Sequence, residues 1–172
     1  LPPGVAELSY ANNFKWVTST GEDAYRRGMY TFFKRTAPHP TLMSFDCPDS
    51  NTTSLIRETS NTPLQALVTL NNVVFTEAAQ ALARRVFLAG GSDRNKITLA
   101  LRICIVRPPD SAEVDRFESL LQTARAYYRE HPEAARDLAK QNPLHEIPAE
   151  EFAAWFATLR MILNLDEFIV RD

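Results

Sequence analysis

The chain contains few cysteines, few glycines and no long run of apolar residues. Its 172 residues include two cysteines and five glycines, and neither a CxxC nor a CxxCH motif is present. Two cysteines are too few for a disulfide framework, and the missing motif excludes covalent attachment of a c-type haem. No apolar run approaches the about 20 residues of a membrane-spanning helix, so we expect no membrane span. Hydrophobic residues still make up 45% of the sequence, which predicts a packed globular fold.

A strong charge of one sign is also missing, because the net charge is only -2. The charges are nevertheless unevenly distributed. Residues 1–109 carry 12 Lys/Arg and 8 Asp/Glu, whereas residues 110–172 carry 7 and 13. The basic part is too weakly charged to indicate a nucleic-acid partner, and we expect none. An asymmetry of this kind can guide docking of a neighbouring domain.

Apolar residues recur at helical spacing from Pro63 onward, and turn residues separate the runs. Asn61 or Thr62 is the expected cap of the first helix, with Pro63 as its first residue, where a missing N–H costs nothing. Gly90–Gly91 and Pro108–Pro109 end later helices. The predicted helices begin at Pro63, after Asn71–Asn72, at Ser92 or Asp93, at Asp110, near Glu133 and at Pro148.

The last of these runs has the strongest amphipathic pattern, with six large apolar residues on one face: Phe152, Trp155, Phe156, Leu159, Ile162 and Leu163. Together the runs predict an all-α fold, an irregular helical bundle of five to six helices with a long N-terminal loop-rich segment. We expect residues 1–22 to form an extended N-terminal segment and residues 23–172 a single α-helical domain. We favour a short helix within Asp23–Thr36, although alternation there also fits a strand. Prolines predict irregular backbone over 37–60.

The first half of the chain places basic residues among aromatic ones. Arg and Lys side chains in such a block bind carboxylate, sulfate or haem propionate groups, and a helix start such as Pro63 is a natural anion site. The alternative is internal pairing with nearby carboxylates, or capping of the helix. The candidate ligand-binding residues are Arg26, Arg27, Lys34, Arg35, Asp46, Arg57, Asn61 and Gln65.

Other chemistry finds little support in the sequence. His39, Asp46, Cys47 and Asp49 lie close together in the chain, but their spacing matches no zinc pattern. No GxSxG motif or positioned base is present, so we expect no catalytic residues, no metal and no cofactor in this fragment. Cys104 has apolar neighbours, which predicts a buried inert thiol, and a bridge to Cys47 stays open.

Several long motifs carry a family resemblance. RRGMYTFFKRTAPHP, FDCPDSN and RETSNTPLQALVTLNN, followed by ALRICIVRPPDSAEVDRF and the closing MILNLDEFIVRD, resemble the domain of unknown function 1553 family. That family occurs in planctomycete proteins associated with cytochrome c domains. The resemblance implies an extracytoplasmic location, periplasmic or at the cell surface. It also implies a C-terminal fragment of a larger exported protein, as the start at Leu1 rather than Met suggests. It implies no catalytic residues.

Three hypotheses follow. The first is a non-catalytic interaction or structural module, in which a helical body anchors a polar Arg-rich loop, Thr36–Thr62, against another domain of the same polypeptide or an anionic ligand. The second is part of an extracytoplasmic enzyme or binding protein acting on polysaccharide, sulfated polysaccharide included, with Asp46 as a proton acceptor. The third is a docking partner of a c-type cytochrome domain.

Overall fold

Helices provide the regular structure of this protein. The computed structural model describes residues 17–56, 58–140 and 147–170. The described helices are α1 (Pro40–Ser44), α2 (Pro63–Asn71), α3 (Val73–Ala89), α4 (Asp93–Ile105), α5 (Ser111–Glu130), α6 (Pro132–Ala139), α7 (Ala149–Ile162) and α8 (Asp166–Ile169). Two single turns of 3-10 helix precede them, and the described residues contain no strand. The predicted all-α class is confirmed.

The described residues form two compact units, one ending at Gln65 and the other beginning at Ala66. We call them the N-terminal unit and the C-terminal unit. The expectation that residues 23–172 form one domain stays a prediction. Most of the predicted extended segment, residues 1–16, lies outside the described residues.

The helix starts follow the capping signals of the sequence. Pro63 is the first residue of α2, and the hydroxyl of Thr62 accepts a hydrogen bond from the Gln65 N–H at 3.3 Å. The Asn72 side chain accepts from the Val74 N–H at 2.9 Å, so α3 begins directly after α2 ends. The first N–H groups of a helix have no partner within the helix, and a capping side chain accepts from them in place of water. These boundaries are therefore set by local chemistry.

The same holds for α4 and α5. The Ser92 hydroxyl caps α4. Asp110 and Glu113 form a reciprocal capping box at α5, with N–H to carboxylate distances of 2.7 and 2.8 Å. Helix α3 ends at Ala89 because Gly90 takes a positive φ of 67°, which glycine adopts without steric cost.

Helix α7 occupies the centre of the C-terminal unit, where it packs against α3, α4, α5 and α6. The predicted inward face of this helix is confirmed, because the six predicted residues are buried, the last of them, Leu163, directly after the helix end. The ring of Phe87 from α3 meets that of Trp155 edge to face, with centroids 5.5 Å apart. The remaining core side chains include Leu82, Val86, Ile97, Leu101, Val114 and Leu121.

Arginines connect these helices at the surface. Arg125 of α5 forms ion pairs with Asp93 and Glu151, and the Trp155 indole N–H donates to the same Glu151 at 2.9 Å. Arg94 bridges Asp115 and Glu118 of α5, both at 2.6 Å. Arg107 joins Glu113 and Glu167.

Two local predictions were wrong. The stretch Asp23–Thr36 contains 3-10 turns at Gly21–Tyr25 and Gly28–Tyr30 instead of an α-helix. The apolar side chains expected on its inner face, including Met29 and Phe32, are exposed, so no packing supports a longer helix. The region expected to be irregular contains α1, which begins at a proline. Helix α8 was not predicted. No helix in the described ranges has the length and hydropathy to span a membrane.

Candidate functional site

The candidate site lies in the N-terminal unit, where α1 ends and a long polar loop begins. Asp46 adopts a left-handed conformation with φ 57°. Its N–H donates to the Met43 carbonyl at 3.3 Å, and the Cys47 N–H donates to the Leu42 carbonyl at 3.0 Å. These two bonds define a Schellman ending, in which glycine usually takes the left-handed position. An aspartate pays a steric penalty there, so its side chain needs compensating contacts.

The Asp46 carboxylate makes those contacts with Ser60, fourteen residues further along. It accepts from the Ser60 backbone N–H at 2.8 Å and from the Ser60 hydroxyl at 2.8 and 3.0 Å. It also accepts from the Gln65 amide nitrogen at 3.2 Å. Hydrogen bonds to an ionised carboxylate are stronger than those between neutral groups. The charge of Asp46 therefore holds both ends of the intervening segment together.

Gln65 is the third member of this cluster and is only 1% exposed. Its amide oxygen accepts from the Thr62 N–H at 2.9 Å, which completes a capping box at α2. Its amide nitrogen donates to Asp46 and, at 3.1 Å, to the Ser60 hydroxyl. One buried side chain thus starts a helix and fixes a loop. We call Asp46, Ser60 and Gln65 the clamp.

The clamp closes the base of a loop, residues 47–59, which we call the clamped loop. Arg57 in this loop lies outside the described residues. A segment of this length with its ends held together is an Ω-type loop, a form that often carries function. Every described residue from 48 to 59 is exposed, including Leu55 at 95% and Ile56 at 84%. Two neighbouring, almost fully exposed aliphatic side chains are unusual in a loop that is fixed at its base.

Hydrogen bonds within the clamped loop fix parts of its course. Asp49 accepts from the Asn51 backbone N–H at 2.9 Å and from its side chain at 3.2 Å. This Asx-type turn lowers the pKa of Asp49, mainly through the backbone N–H of Asn51. The Ser54 hydroxyl donates to the Ile56 carbonyl at 2.8 Å. Local bonds of this kind orient the backbone beside Leu55 and Ile56.

The basic-aromatic block precedes α1. Arg26 pairs with Asp23 at 2.6 Å, and both side chains are mostly exposed. The Arg27 guanidinium lies 5.8 Å from the centre of the Tyr30 ring. Arg35 is exposed and Lys34 half-buried.

The block is tied to α1 by a close backbone approach. A Cβ at Gly28 would lie 2.9 Å from Cδ2 of Leu42, so a larger residue there would displace the end of the Leu42 side chain. This contact positions the block's residues beside the helix that ends at the clamp.

The structure thus brings together two of the predicted residues, Asp46 and Gln65. Ser60, which links them, was missed because nothing local distinguishes it from other loop serines. The Thr62-x-x-Gln65 spacing was the sequence signal for the role of Gln65 as a capping residue. Asn61 is exposed beside the clamp, and Arg57 lies outside the described residues. Anion binding by Arg26, Arg27, Lys34, Arg35, Asn61 and Arg57 stays a prediction.

The chemistry available to the clamp is restricted. Asp46 is engaged by two residues through its carboxylate, so it is poorly placed to take a proton from a substrate. Among the described residues, no group of three or more His, Cys, Asp or Glu side chains is arranged to hold a metal ion. Burial raises the pKa of the Cys104 thiol to about 11, and both cysteines are free.

The clamp residues and their loop fall within a known sequence family. The family model for PSD1, described as a protein of unknown function (DUF1553), matches residues 3–121. No curated protein matches the chain, and no solved structure matches it. The match begins before the described residues and ends within α5, so it contains the basic-aromatic block, the clamped loop and α2. It spans well over half of the sequence, and the chain therefore belongs to the PSD1 (DUF1553) family of proteins of unknown function.

Proposed function

We propose that this chain is a non-catalytic interaction module whose clamped loop docks onto a neighbouring domain of the same polypeptide. The observation that carries the proposal is the combination of a hydrogen-bonded loop base with an exposed apolar pair, Leu55 and Ile56. Docking surfaces that are ordered before binding lose less conformational entropy when the complex forms. The clamp supplies that order without using any side chain of the loop itself.

The contact pattern of the clamp supports a structural role over a catalytic one. Each polar group of the Gln65 amide has an internal partner, and the Asp46 carboxylate accepts from both other members. Catalytic groups need at least one position open to a substrate. We therefore place recognition in the loop and the basic-aromatic block, and assign the clamp to positioning them.

The exposed groups define the partner that would fit. Leu55 and Ile56 suit an apolar recess, and the exposed Arg27 and Arg35 of the basic-aromatic block suit acidic groups. Protein interfaces commonly combine apolar contacts with polar ones of this kind. By the family resemblance, we place this contact in an extracytoplasmic protein with no cofactor in this chain. A c-type cytochrome domain of the same polypeptide would also meet these requirements.

Calorimetric titration of the chain with the neighbouring domains of its parent polypeptide tests the proposal. We expect one domain to bind, and replacement of both Leu55 and Ile56 by serine to weaken that binding at least tenfold. Each fully buried aliphatic side chain contributes about 1.5–3 kcal/mol, which corresponds to about tenfold or more per residue. The change is made at exposed positions, so the fold should be retained.

Leu88→Ser is the matched control, because Leu88 is 74% exposed in α3 of the other unit. This variant should bind like the wild type. The proposal fails if no neighbouring domain binds at high micromolar concentration, or if both variants bind equally well. Binding that weakens steeply with salt would favour a cytochrome-type electrostatic contact over an apolar one.

A sulfated polysaccharide is the second candidate ligand, favoured by the position of the Arg27 guanidinium over the Tyr30 ring and by the exposure of Arg35 in the same block. Arginine binds sulfate through two parallel donors, and an adjacent aromatic ring offers a face to a sugar. In a glycan array, we expect Arg35→Ala to reduce a sulfate-dependent signal. A wild-type chain that gives no such signal removes this candidate and leaves the docking proposal unaffected.

A further inference from the structure

The C-terminal unit contains a hollow with an arginine at its edge. The hollow has a volume of about 360 Å³ and lies where the end of α2 approaches α5 and α7. Its wall is mainly apolar, formed by Leu70, Leu120, Ala124 and Met161, and its polar groups include Arg160 and Asn71. A small hollow with mostly apolar walls and few polar groups is typical of a small-molecule site, although its volume is near the lower limit of about 300–1,000 Å³.

Arg160 differs from the arginines that connect helices in the same unit. Arg94, Arg107 and Arg125 each bind two carboxylates. Arg160 forms no ion pair with any residue that the structure describes, and its guanidinium lies 5.5 Å from the centre of the Phe156 ring. Its Nε is buried and has no hydrogen-bond partner among the described residues. Arg160 is thus a charged residue in the wall of the hollow that no described carboxylate neutralises, so a carboxylate bound there would supply the missing partner.

We propose that this hollow binds a small amphipathic monocarboxylate, with the carboxylate on Arg160 and the apolar body against Leu70, Leu120 and Met161. The guanidinium supplies parallel donors that match a carboxylate. Arg160 is the one charged residue in this lining, whose other polar residues are Asn71 and Thr158, and the remaining lining residues are apolar. The lining therefore favours a ligand with one charged end and an apolar body. The site lies entirely within the C-terminal unit and is independent of the clamped loop.

Calorimetric titration with octanoate and with 1-octanol tests this inference, because the two probes share an alkyl chain and differ in charge. We expect one octanoate to bind per chain and 1-octanol to bind at least tenfold more weakly. Arg160→Gln should reduce octanoate binding to the level of 1-octanol, and Arg160→Lys, which keeps the charge but loses the parallel donors, should give an intermediate affinity. Arg129→Gln is the matched control, since Arg129 is exposed on α5 and this variant should bind octanoate normally.

Ala124→Leu provides a second approach that leaves the charge in place. The larger side chain fills part of the hollow, so both probes should bind at least tenfold more weakly. The inference is overturned if octanoate does not bind, if 1-octanol binds equally well, or if Arg160→Gln binds octanoate normally. Should Arg160→Gln fail to fold, the comparison of the two probes on the wild type still decides the role of the charge.

Discussion

The two units of this protein are stabilised in different ways. Every buried hydrophobic side chain in the described part of the chain belongs to the C-terminal unit, beginning with Ala79. Among the described residues up to Gln65, only Gln65 itself has a buried side chain, and that side chain is polar. One unit therefore has an apolar core built around α7, whereas the other depends on hydrogen bonds at the clamp.

This difference has consequences for stability and for function. Burial of apolar surface is the dominant favourable contribution to folding, so the C-terminal unit should determine the global stability. A region with few buried apolar contacts opens locally at lower free energy. The N-terminal unit should therefore respond to changes in the clamp by local opening. Such a region suits recognition, because its surface can be altered without unfolding the core.

Phe152→Ala should have the largest effect on stability. Phe152 is fully buried in α7, and its ring stacks on that of Phe156 with centroids 5.8 Å apart. Truncation of a buried phenylalanine costs about 3–5 kcal/mol, because apolar contacts are lost and a cavity is left. Chemical denaturation followed by circular dichroism would measure this change. Leu88→Ala, at an exposed position, should change stability by less than about 0.5 kcal/mol. Equal effects would contradict an α7-centred core.

Gln65→Ala should have a smaller and more local effect. This change removes the amide nitrogen that donates to Asp46 and Ser60 and the amide oxygen that accepts from the Thr62 N–H. The partner groups are left without these hydrogen bonds, at a cost of about 1–3 kcal/mol. We expect faster hydrogen–deuterium exchange in peptides covering 46–62, with exchange in α7 unchanged. Gln122→Ala, at an exposed position of α5, is the matched control and should alter neither region. Accelerated exchange in α7 would show that the two units are not stabilised separately.

Much of the fold was predictable because its signals are local. Pro63, Asn72, Gly90 and the Asp110–Glu113 pair set helix ends through contacts within four residues, and the α7 stripe repeats at helical spacing. The Asp23–Thr36 stretch has a similar apolar spacing, but its side chains stay exposed. The spacing of apolar residues indicates which face of a helix would be buried. It does not show whether the rest of the protein offers a surface for that face to pack against.

The candidate site was predictable only in part. Gln65 lies at a recognisable capping spacing, and Asp46 precedes a long polar loop. The contact between them joins residues nineteen positions apart, and it depends on the left-handed turn that ends α1. A turn of this kind at an aspartate has no reliable sequence signal, because glycine usually occupies that position. The exposure of Leu55 and Ile56 and the hollow at Arg160 follow from tertiary structure alone.

Glu113→Gln should have the smallest effect on stability. It removes a surface ion pair, which contributes less than the apolar core or the clamp. Glutamine can retain the capping box with Asp110 but loses the charge that binds Arg107. We expect a loss of about 0.5–1 kcal/mol near pH 7, or about 1–4 °C in Tm. Glu77→Gln, an exposed residue of α3, should leave Tm unchanged.

The pH dependence identifies the cause of that loss. Arg107, through its hydrogen bonds, lowers the pKa of Glu113 from its ordinary 4.5 to about 2. The folded state therefore binds the Glu113 proton more weakly than the unfolded chain does. The stabilisation is complete above pH 4.5 and disappears as the pH falls towards 2. Tm values of wild type and variant should differ at pH 7 and converge near pH 2. A difference that persists at pH 2 would assign the effect to packing instead of charge.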